Sequence, residues 1–194
     1  MKILVVDLET GMIDAVGDPF DPGNCVICEI GIVRLDLATG EVSEVVNKIC
    51  REGPPCHGDS WIFRNSSLTL DQVSCSITLA DLRNDVQFVL AGGLPVTSWG
   101  HGFDLRILES RGYAIPLRFW DPLRTLAPYL GMPSPYGYGW KWPSVEEAYA
   151  FFHPWKALYT LSHRAVEDAL TEASIIYDAT VTWPELTSDW SSYI

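Results

Sequence analysis

Residues 2–10, which read KILVVDLET, constrain the fold of this chain more than any other stretch. Their apolar run is rich in β-branched residues, which predicts a short strand buried on both faces rather than a helix. Asp7 and Glu9 stand at the far end of that strand. Side chains two apart in a strand leave the same face of a sheet, so these two carboxylates should lie side by side.

A pair of neighbouring carboxylates has two explanations. A divalent cation between them would relieve their mutual repulsion, because carboxylate oxygens are the ligands that Mg²⁺ and Mn²⁺ prefer. Alternatively, the strand ends in solvent, where acidic side chains are ordinary. The pair alone does not distinguish a metal site from an exposed strand end, so the choice depends on acids elsewhere in the chain.

Composition and charge limit the class of protein. The 194 residues suit a single domain spanning 1–194, with a core over about 2–182 and a C-terminal tail over 183–194. A hydrophobic content of 47% excludes a disordered chain, and no apolar run has the length of a membrane span. The first residues show no signal-peptide cleavage site, so a cytoplasmic location is expected. The formal net charge of −12 argues against a broad basic surface that coats nucleic acid, but it allows local contacts to phosphate.

The five cysteines predict reduced thiols rather than a disulfide framework, because their number is odd. A structural zinc site is the alternative. Cys25 and Cys28 have the C-x-x-C spacing, and Cys50, Cys56 and His57 could supply further ligands. Residues three apart in a strand point to opposite faces, however, so we expect thiols rather than a zinc site.

The rest of the chain predicts a mixed sheet with helices packed on its faces, which is an α/β fold. A β-hairpin is expected over 26–51, and a strand over 94–100 turns directly into a helix. The remaining predicted elements are a short helix over 68–76, a helix over 78–93 with a capping box at Thr78 and Asp81, a short strand from Arg118, a helix from Pro122 to Gly131, a helix from Ser144 with a capping box at Glu147, and a closing helix over 163–181.

Two other places bring acids toward the end of the first strand. Asp104 follows the strand over 94–100, and the carboxyl ends of strands are where open α/β sheets place their sites. Helix capping is the simpler explanation for Asp104. His163 and Asp168 lie near the start of the closing helix, and both could reach one site if His163 stood at or before the first turn. The closing helix should approach the sheet through a narrow face formed by Ala165, Ala169, Leu170, Ala173 and Ile176.

Three segments, VVDLET, GHGFDLRIL and HRAVEDALTEA, together resemble the three motifs of the DnaQ-like, or DEDDh, 3′-to-5′ exonucleases. They occur in the same order as in that family. The resemblance runs from Val5 to about Tyr177 and includes the segment EIGIVRLD, which the family places after its first motif. It implies a ribonuclease H-like mixed sheet of about five strands with helices on both faces.

The resemblance also implies an activity and the residues that perform it. Two divalent cations, Mg²⁺ or Mn²⁺, would be held by four carboxylates, and a histidine would act as general base in hydrolysing phosphodiester bonds at single-stranded DNA or RNA 3′ ends, with release of nucleoside 5′-monophosphates. The implied metal ligands are Asp7, Glu9, Asp104 and Asp168, the implied base is His163, and the implied substrate contacts are Thr10, Met12 and Phe103.

Two other functions are compatible with these motifs. The same fold could serve as a weakly active or non-catalytic nucleic-acid-binding subunit of a replication, repair or processing complex, whose protein partner the sequence does not identify. A phosphatase unrelated to nucleases is the more distant alternative, since the chain lacks a motif of that class. An exonuclease releases mononucleotides whereas a phosphatase releases inorganic phosphate, so product analysis distinguishes them.

Basic and aromatic side chains near the motifs are the remaining candidates for substrate contacts. Tyr138, Trp140 and Trp142 could stack on bases, but we expect them to cover the core, because large aromatic side chains are usually buried. His101 is expected to be a loop or supporting residue rather than a catalytic one. The basic side chains that flank the motifs are Arg106, Arg118, Arg124, Lys141 and Arg164.

Overall fold

A computed structural model describes residues 1–14, 16–18, 21–53, 55–156 and 159–188. Its centre is a five-stranded mixed sheet in the order β4-β3-β2-β1-β5. Strands β1 to β3 form an antiparallel meander, and β4 and β5 pair in parallel with β3 and β1 at the two edges. The strands are β1 (Lys2–Met12), β2 (Cys25–Asp36), β3 (Val42–Arg51), β4 (Ile77–Thr78) and β5 (Val96–Thr97). The α/β fold class predicted from the sequence, with about five strands, is confirmed.

Eight helices are present in the described residues, and several begin and end where the sequence predicts. They are α1 (Trp61–Asn65), α2 (Leu70–Ser74), α3 (Leu79–Leu90), α4 (Asp104–Ser110), α5 (Pro122–Leu130), α6 (Val145–Phe152), α7 (Ala165–Thr182) and α8 (Glu185–Ser188). The capping box of Ser144 and Glu147 is confirmed. Gly131 ends α5 with a left-handed φ of 64°. The Thr78 hydroxyl oxygen accepts a hydrogen bond from the Asp81 N–H and so caps α3. The same hydroxyl donates to the Asp81 carboxylate, so the reciprocal bond of the predicted capping box is replaced by a bond between the two side chains.

Some predicted boundaries are wrong. β1 continues to Met12, two residues beyond the segment 2–10 for which a strand was predicted. The strand predicted from Arg118 is a single parallel bridge between Arg118 and Val96, and it leaves little length for a strand because α5 begins at Pro122. Phe119 and Trp120, which lie between, are fully buried. Three elements, α1, β4 and α8, were not predicted, because each is five residues or shorter and carries little periodic pattern. Residues 189–194 of the predicted tail lie outside the described residues.

The core lies on both faces of β1, as its apolar run predicted. Leu4, Val6 and Leu8 face a layer that contains α3 and α4. Ile3 and Val5 face the opposite layer, which contains α5, α6 and α7. Helices on both faces of the sheet are therefore confirmed, and Asp7 and Glu9 continue the face that α7 covers. Among the described residues no helix is both long and apolar enough to cross a membrane.

Helix α7 packs unusually close to the sheet, at Gly31 of β2. A Cβ placed on Gly31 would lie 2.2 Å from the backbone carbon of Ala165, which no side chain could tolerate. Ala165, Ala169 and Ala173 are fully buried on this face of α7, as predicted. Leu170 was wrongly assigned to the face, since it is 40% exposed. The close contact at Gly31 sets the position of the first turns of α7, which carry Asp168.

Candidate active site

The end of β1 and the start of α7 bring three predicted site residues together. Glu9, His163 and Asp168 each offer a ligand atom, and these atoms all lie within 4.8 Å of one another. Glu9 is 8% exposed and Asp168 is 3% exposed, so both carboxylates are largely withdrawn from water. In the described part of the chain this is the one group of three or more potential ligands close enough to hold a metal ion.

The backbone conformation of His163 differs from that of α7, which follows it. His163 has a φ of 53°, and no other non-glycine residue in the described segments has a positive φ. It stands two residues before the first residue of α7, as convergence with Asp168 requires. The Trp61 ring meets the His163 ring edge to face, with centroids 4.6 Å apart and planes 84° apart. Trp61 belongs to α1, and sequence reasoning did not associate it with the site.

Hydrogen bonds hold Asp168 and Asp104 in place. The backbone N–H and the hydroxyl of Ser162 donate to Asp168 Oδ1 over 3.2 and 3.1 Å. The Leu8 N–H donates to Asp104 Oδ1 over 3.3 Å and so connects the start of α4 to β1. Asp104 is 5% exposed and is the first residue of α4, the helix that follows β5 as predicted, although β5 itself is only Val96–Thr97 and not the strand expected over 94–100. Its carboxylate contacts another strand, so it is more than a helix cap.

Burial and mutual repulsion raise the pKa values of these acids. Burial, followed by the charges of Glu172, Asp104 and Glu9, holds the pKa of Asp7 well above its usual range. Burial and then the charge of Asp168 raise the pKa of Glu9 to about 9. Burial raises the pKa of Asp104 to about 7, although the Leu8 N–H partly opposes the rise. Burial also raises the pKa of Asp168.

A fifth acid, Glu172, adjoins the site and was not singled out from the sequence. It lies one turn beyond Asp168 on α7 and is 2% exposed. Its Oε2 has no hydrogen-bond partner in the described part of the chain. Burial and then Asp104 and Asp168 raise the pKa of Glu172 well above its usual range. The spacing of four residues in the segment DALTE was the signal that could have identified it.

The start of α7 is fixed by a buried ion pair. Arg164 donates to both carboxylate oxygens of Glu29, with Nη2 to Oε1 at 2.6 Å and Nε to Oε2 at 3.0 Å. The Ala165 N–H donates to the same carboxylate over 3.1 Å, so Glu29 of β2 caps the helix from outside. Glu29 is 1% exposed. Arg164, considered above as a substrate contact, is therefore engaged in positioning His163 and Asp168.

The donor set suits a divalent cation. Asp7 Oδ2 is buried and accepts no hydrogen bond from any residue that the structure describes, so one carboxylate oxygen lacks a protein partner. Clustered carboxylates with raised pKa values are stabilised by a hard cation, which oxygen ligands favour. Asp7, Glu9, Asp104 and Asp168 could supply those oxygens, with the imidazole of His163 beside them.

The three residues predicted to contact substrate lie near the end of β1 and the start of α4. Met12 ends β1, and its N–H donates to Ser60 Oγ over 2.9 Å. Thr10 is half-buried and follows a β-bulge or similar irregularity between Glu9 and Thr10. Phe103 is half-buried at the start of α4 and packs against the core. Contact of Thr10, Met12 and Phe103 with a nucleotide stays a prediction.

The flanking aromatic and basic residues differ from expectation. Tyr138, Trp140 and Trp142 are 79%, 52% and 56% exposed, so the expectation that they cover the core is wrong. They stand in the loop before α6, where few elements are available to cover them. Basic side chains that pair with acids are Arg118 with Glu109, Arg124 with Asp121, and Lys141 with Glu147. Arg106 is exposed on α4.

His101 and the cysteines take supporting positions. His101 Nε2 lies 3.0 Å from Thr97 Oγ1, away from the acidic group, in line with the supporting role expected of it. All five cysteines are thiols. Within the described ranges the cysteines form no group of three potential metal ligands, which favours thiols over the zinc alternative. Cys28 and Cys56 nevertheless lie close together, with their sulfur atoms 4.0 Å apart.

Comparison with known proteins gives matches in structure and none in sequence. No protein-family model and no curated protein matches the chain. The nuclease domain of 3′hExo, a DEDDh family member bound to rAMP, is 16% identical with a TM-score of 0.65, over 94% of this chain and 92% of that one. Cell-death related nuclease 4 (CRN-4) is 14% identical with a TM-score of 0.67, over 94% of this chain and 64% of that one. E. coli Exonuclease I in complex with a dT13 oligonucleotide is 13% identical with a TM-score of 0.66, over 96% of this chain and 42% of that one.

These matches establish the fold of the chain. It is the ribonuclease H-like fold of DEDDh exonucleases, and the resemblance noted in the sequence is confirmed at that level. The chain spans nearly all of the 3′hExo nuclease domain but less than two thirds of CRN-4 and of Exonuclease I. At such identities the activity must be argued from the site itself.

Proposed function

We propose that this chain is a metal-dependent 3′-to-5′ exonuclease that acts on single-stranded nucleic-acid 3′ ends and releases nucleoside 5′-monophosphates. The observation that carries the proposal is the group of Glu9, His163 and Asp168, with ligand atoms within 4.8 Å of one another. Asp104 lies close enough to contribute to the raised pKa of Glu9, and the charges of Glu9 and Asp168 contribute to the raised pKa of Asp7. The same fold occurs in proteins described as a 3′-exonuclease and as Exonuclease I bound to dT13 and dA16 oligonucleotides.

The residues of the chain have distinct roles in the proposed hydrolysis. Divalent cations, Mg²⁺ or Mn²⁺ and two in number, held by Asp7, Glu9, Asp104 and Asp168 would neutralise charge on the attacked phosphate and favour ionisation of the attacking water. His163 accepts the proton of that water, since an imidazole can take up a proton at physiological pH. Ser162 and Leu8 keep Asp168 and Asp104 oriented.

His163 is well placed for such a role. Its positive φ turns the ring toward Glu9 and Asp168 instead of along the helix axis. The ring edge contact with Trp61 restricts its rotation. A base held in one orientation spends less of its time in unproductive positions, which is the benefit of preorganisation.

Single-stranded 3′ ends of DNA or RNA are the proposed substrates. An acidic chain with a net charge of −12 offers little general attraction for a duplex backbone. Recognition then depends on the cations at the scissile phosphate and on contacts near Thr10, Met12 and Phe103. A relative in structure is described as a 3′-exonuclease that recognises the 3′ end of a histone mRNA stem-loop, and another forms a complex with single-stranded DNA.

A second function is favoured by one observation. Tyr136, Tyr138, Trp140 and Trp142 are exposed by 52 to 80% in one loop, and a cluster of exposed aromatics is typical of a contact surface. The chain would then be a weakly active or non-catalytic subunit of a larger assembly. The acids of the site are all present, which favours the catalytic function over this alternative.

The test is a time course on 5′-labelled single-stranded DNA and RNA oligonucleotides with Mg²⁺ or Mn²⁺. We expect a ladder that shortens from the 3′ end, with nucleoside 5′-monophosphates as products. EDTA and the variant Asp7→Asn should each abolish it, whereas Asp85→Asn, which changes an exposed acid of α3, should leave it unchanged. Absence of cleavage of either substrate would favour the subunit function, and release of inorganic phosphate would favour a phosphatase.

A further inference from the structure

Cys28 and Cys56 form a thiol pair beside the end of β1. Cys28 lies in β2 and is fully buried, while Cys56 is half-buried in the loop between β3 and α1. Their sulfur atoms are 4.0 Å apart. A Cβ on Gly11 of β1 would lie 1.9 Å from Cys56 Sγ and 3.2 Å from Cys28 Sγ, so the missing side chain at Gly11 leaves the space that both thiols occupy.

The two thiols have unequal surroundings. Cys56 Sγ lies 3.3 Å from Ser60 Oγ in addition to its contact with Cys28. Hydrogen bonding from Cys28 and then from Ser60 lowers the pKa of Cys56 to about 7, even though burial opposes the change. The bond to Cys56, together with burial, raises the pKa of the Cys28 thiol. An accessible thiol with a low pKa beside a second thiol is the arrangement found in cysteines that oxidise reversibly.

We propose that Cys28 and Cys56 are a reversible oxidation site that closes to a disulfide on reaction with a peroxide such as hydrogen peroxide. The Cys56 thiolate attacks one oxygen of the peroxide, the O–O bond breaks, and hydroxide leaves as Cys56 sulfenic acid forms. The Cys28 sulfur then attacks Cys56 Sγ, the S–O bond breaks, and water leaves as the Cys28 proton is lost. The two sulfurs give up two electrons in total, and the peroxide is reduced to water.

Formation of the bond must move the loop rather than the sheet. The sulfur atoms have to approach from 4.0 Å to about 2.0 Å. Cys28 is fully buried in β2, at the register shift opposite Glu9 and Thr10, so its side chain has little room to move. Cys56 is only half-buried and lies in the loop between β3 and α1, so we expect most of the displacement to fall on that loop.

This loop connects the thiol pair to the proposed active site. The His57 N–H donates to the Met12 carbonyl over 2.7 Å, and Ser60 Oγ accepts from the Met12 N–H over 2.9 Å. Trp61 follows at once and touches the His163 ring. A shift of the loop therefore acts on Met12 and on His163 together. We expect the oxidised form to lose activity by about tenfold or more, because small displacements of reacting groups are costly.

The alternative is that the two thiols merely fill space, as buried cysteines often do. In that case oxidation at Cys56 would continue to sulfinic acid or reach another partner, and no bond to Cys28 would form. The exposed thiol of Cys75, at the end of α2, provides an internal comparison because it lies outside the pair.

The test begins with the unaltered full chain. It is treated with hydrogen peroxide near neutral pH, the remaining thiols are blocked with N-ethylmaleimide, and the digest is mapped by mass spectrometry. A peptide containing Cys28 joined to Cys56, absent after dithiothreitol, is the expected result. It should persist in Cys75→Ser and disappear in Cys28→Ala and in Cys56→Ser. In Cys28→Ala, dimedone should trap Cys56 as the sulfenic acid.

Two mapping results would overturn the proposal. One is oxidation of Cys56 in the unaltered chain without any Cys28–Cys56 peptide. The other is a bridge from Cys56 to Cys50 or Cys75 in its place. The variant Gly11→Ala adds a further check, because its new methyl group would displace Cys56 Sγ and should sharply reduce the yield of the bridge.

The effect on activity is a separate arm that rests on the proposed function. Peroxide should inhibit 3′ cleavage in the unaltered chain and in Cys75→Ser, dithiothreitol should restore it, and Cys56→Ser should resist the treatment. A bridge that forms without loss of activity would refute the coupling to Met12 and His163. If the reduced chain has no exonuclease activity at all, the proposed function fails, and the mass-spectrometric arm still decides whether the bridge exists.

Discussion

At the scale of single residues, the acids of the site differ in how many protein partners they have. Asp168 accepts two hydrogen bonds from Ser162, and Asp104 accepts one from Leu8. Asp7 Oδ2 accepts none from the residues described. A buried carboxylate oxygen without a protein partner gains from a cation, so we expect metal binding to depend strongly on Asp7.

Replacement of His163 tests its role as the base. We expect His163→Asn to lower turnover by about 10²- to 10⁴-fold, because the variant cannot accept a proton. Asparagine is chosen because it tolerates the left-handed backbone seen here, so the start of α7 should keep its conformation. Turnover and Mn²⁺ affinity should be measured together. Near-normal turnover would contradict the assignment, whereas loss of Mn²⁺ binding would identify His163 as a ligand instead.

Glu172 offers a test of the fifth carboxylate. Glu172→Gln keeps the shape of the side chain and removes its ability to ionise. We expect Mn²⁺ affinity, measured by calorimetry, to fall by about 10- to 100-fold, the usual cost of altering groups that support metal ligands. The metal-free protein should be at least as stable as the unaltered one. The matched control is Glu167→Gln, an exposed acid on the same helix, and an equal effect in both variants would refute a specific role.

At the scale of elements, the position of α7 is decided at its first residue. Glu29 receives Arg164 and the Ala165 N–H, and Gly31, two residues further along β2, admits the helix backbone. Both anchors lie in β2, and His163 directly precedes Arg164, the residue that pairs with Glu29. The distance between the two groups of ligands, on β1 and on α7, is therefore fixed by β2.

Loss of the ion pair at this anchor should be costly. Arg164→Met leaves the Glu29 carboxylate buried with only one N–H for a partner, and we expect a loss of about 2 to 5 kcal/mol in the free energy of unfolding. Chemical denaturation measures this directly. The control Arg34→Met changes an exposed arginine on β2, the strand that carries Glu29. It should alter the free energy of unfolding by no more than about 0.5 kcal/mol. Similar losses in both variants would show that the Glu29 pair has no special importance.

The elements also show what a sequence can and cannot reveal. The face shared by Asp7 and Glu9 follows from the two-residue period of β1, and the start of α6 follows from a local cap. Contacts between distant residues follow from no local pattern. Glu29 and Arg164 are 135 positions apart, and nothing in either segment specifies the pairing. Trp61 touches His163 through α1, a five-residue helix too short to show periodicity.

The candidate site shows the same difference between features that follow from local sequence and features that depend on distant contacts. Three motifs were enough to suggest the residues that could surround a cation, because each acid stands at the end of a predicted element. Glu172 was overlooked because an acid inside a helix is ordinary on an exposed face, and only its burial makes it unusual. The prediction for Tyr138, Trp140 and Trp142 failed for the opposite reason: these side chains are large, but they remain more than half exposed among the residues that the structure describes.

At the scale of the whole molecule, stability should depend on pH and on metal together. Glu9 and Asp104 have pKa values raised to about 9 and about 7, so they bind protons more tightly folded than unfolded. Their protonated forms stabilise the metal-free protein below the unfolded pKa of about 4, and this contribution is lost as pH rises through the folded values. A divalent cation replaces those protons, so its stabilising effect should grow with pH.

Thermal unfolding between about pH 5 and pH 9 checks this dependence. In EDTA we expect the melting temperature to fall across the range. With Mn²⁺ in excess, we expect the difference from EDTA to widen steadily. Asp7→Asn should reduce both trends, and Asp85→Asn should reproduce the unaltered protein. A metal-free protein that becomes more stable with rising pH would contradict the raised pKa values of Glu9 and Asp104.

The glycine at position 31 affects how variants of this chain should be judged. An alanine there would force the first turn of α7 away from β2, because its Cβ would lie 2.2 Å from the Ala165 backbone. Such a chain would still contain Asp7, Glu9, Asp104, His163 and Asp168. A genetic survey that scored only those five positions would count it as intact. The inherited defect would lie in a residue that has no side chain and never meets the substrate.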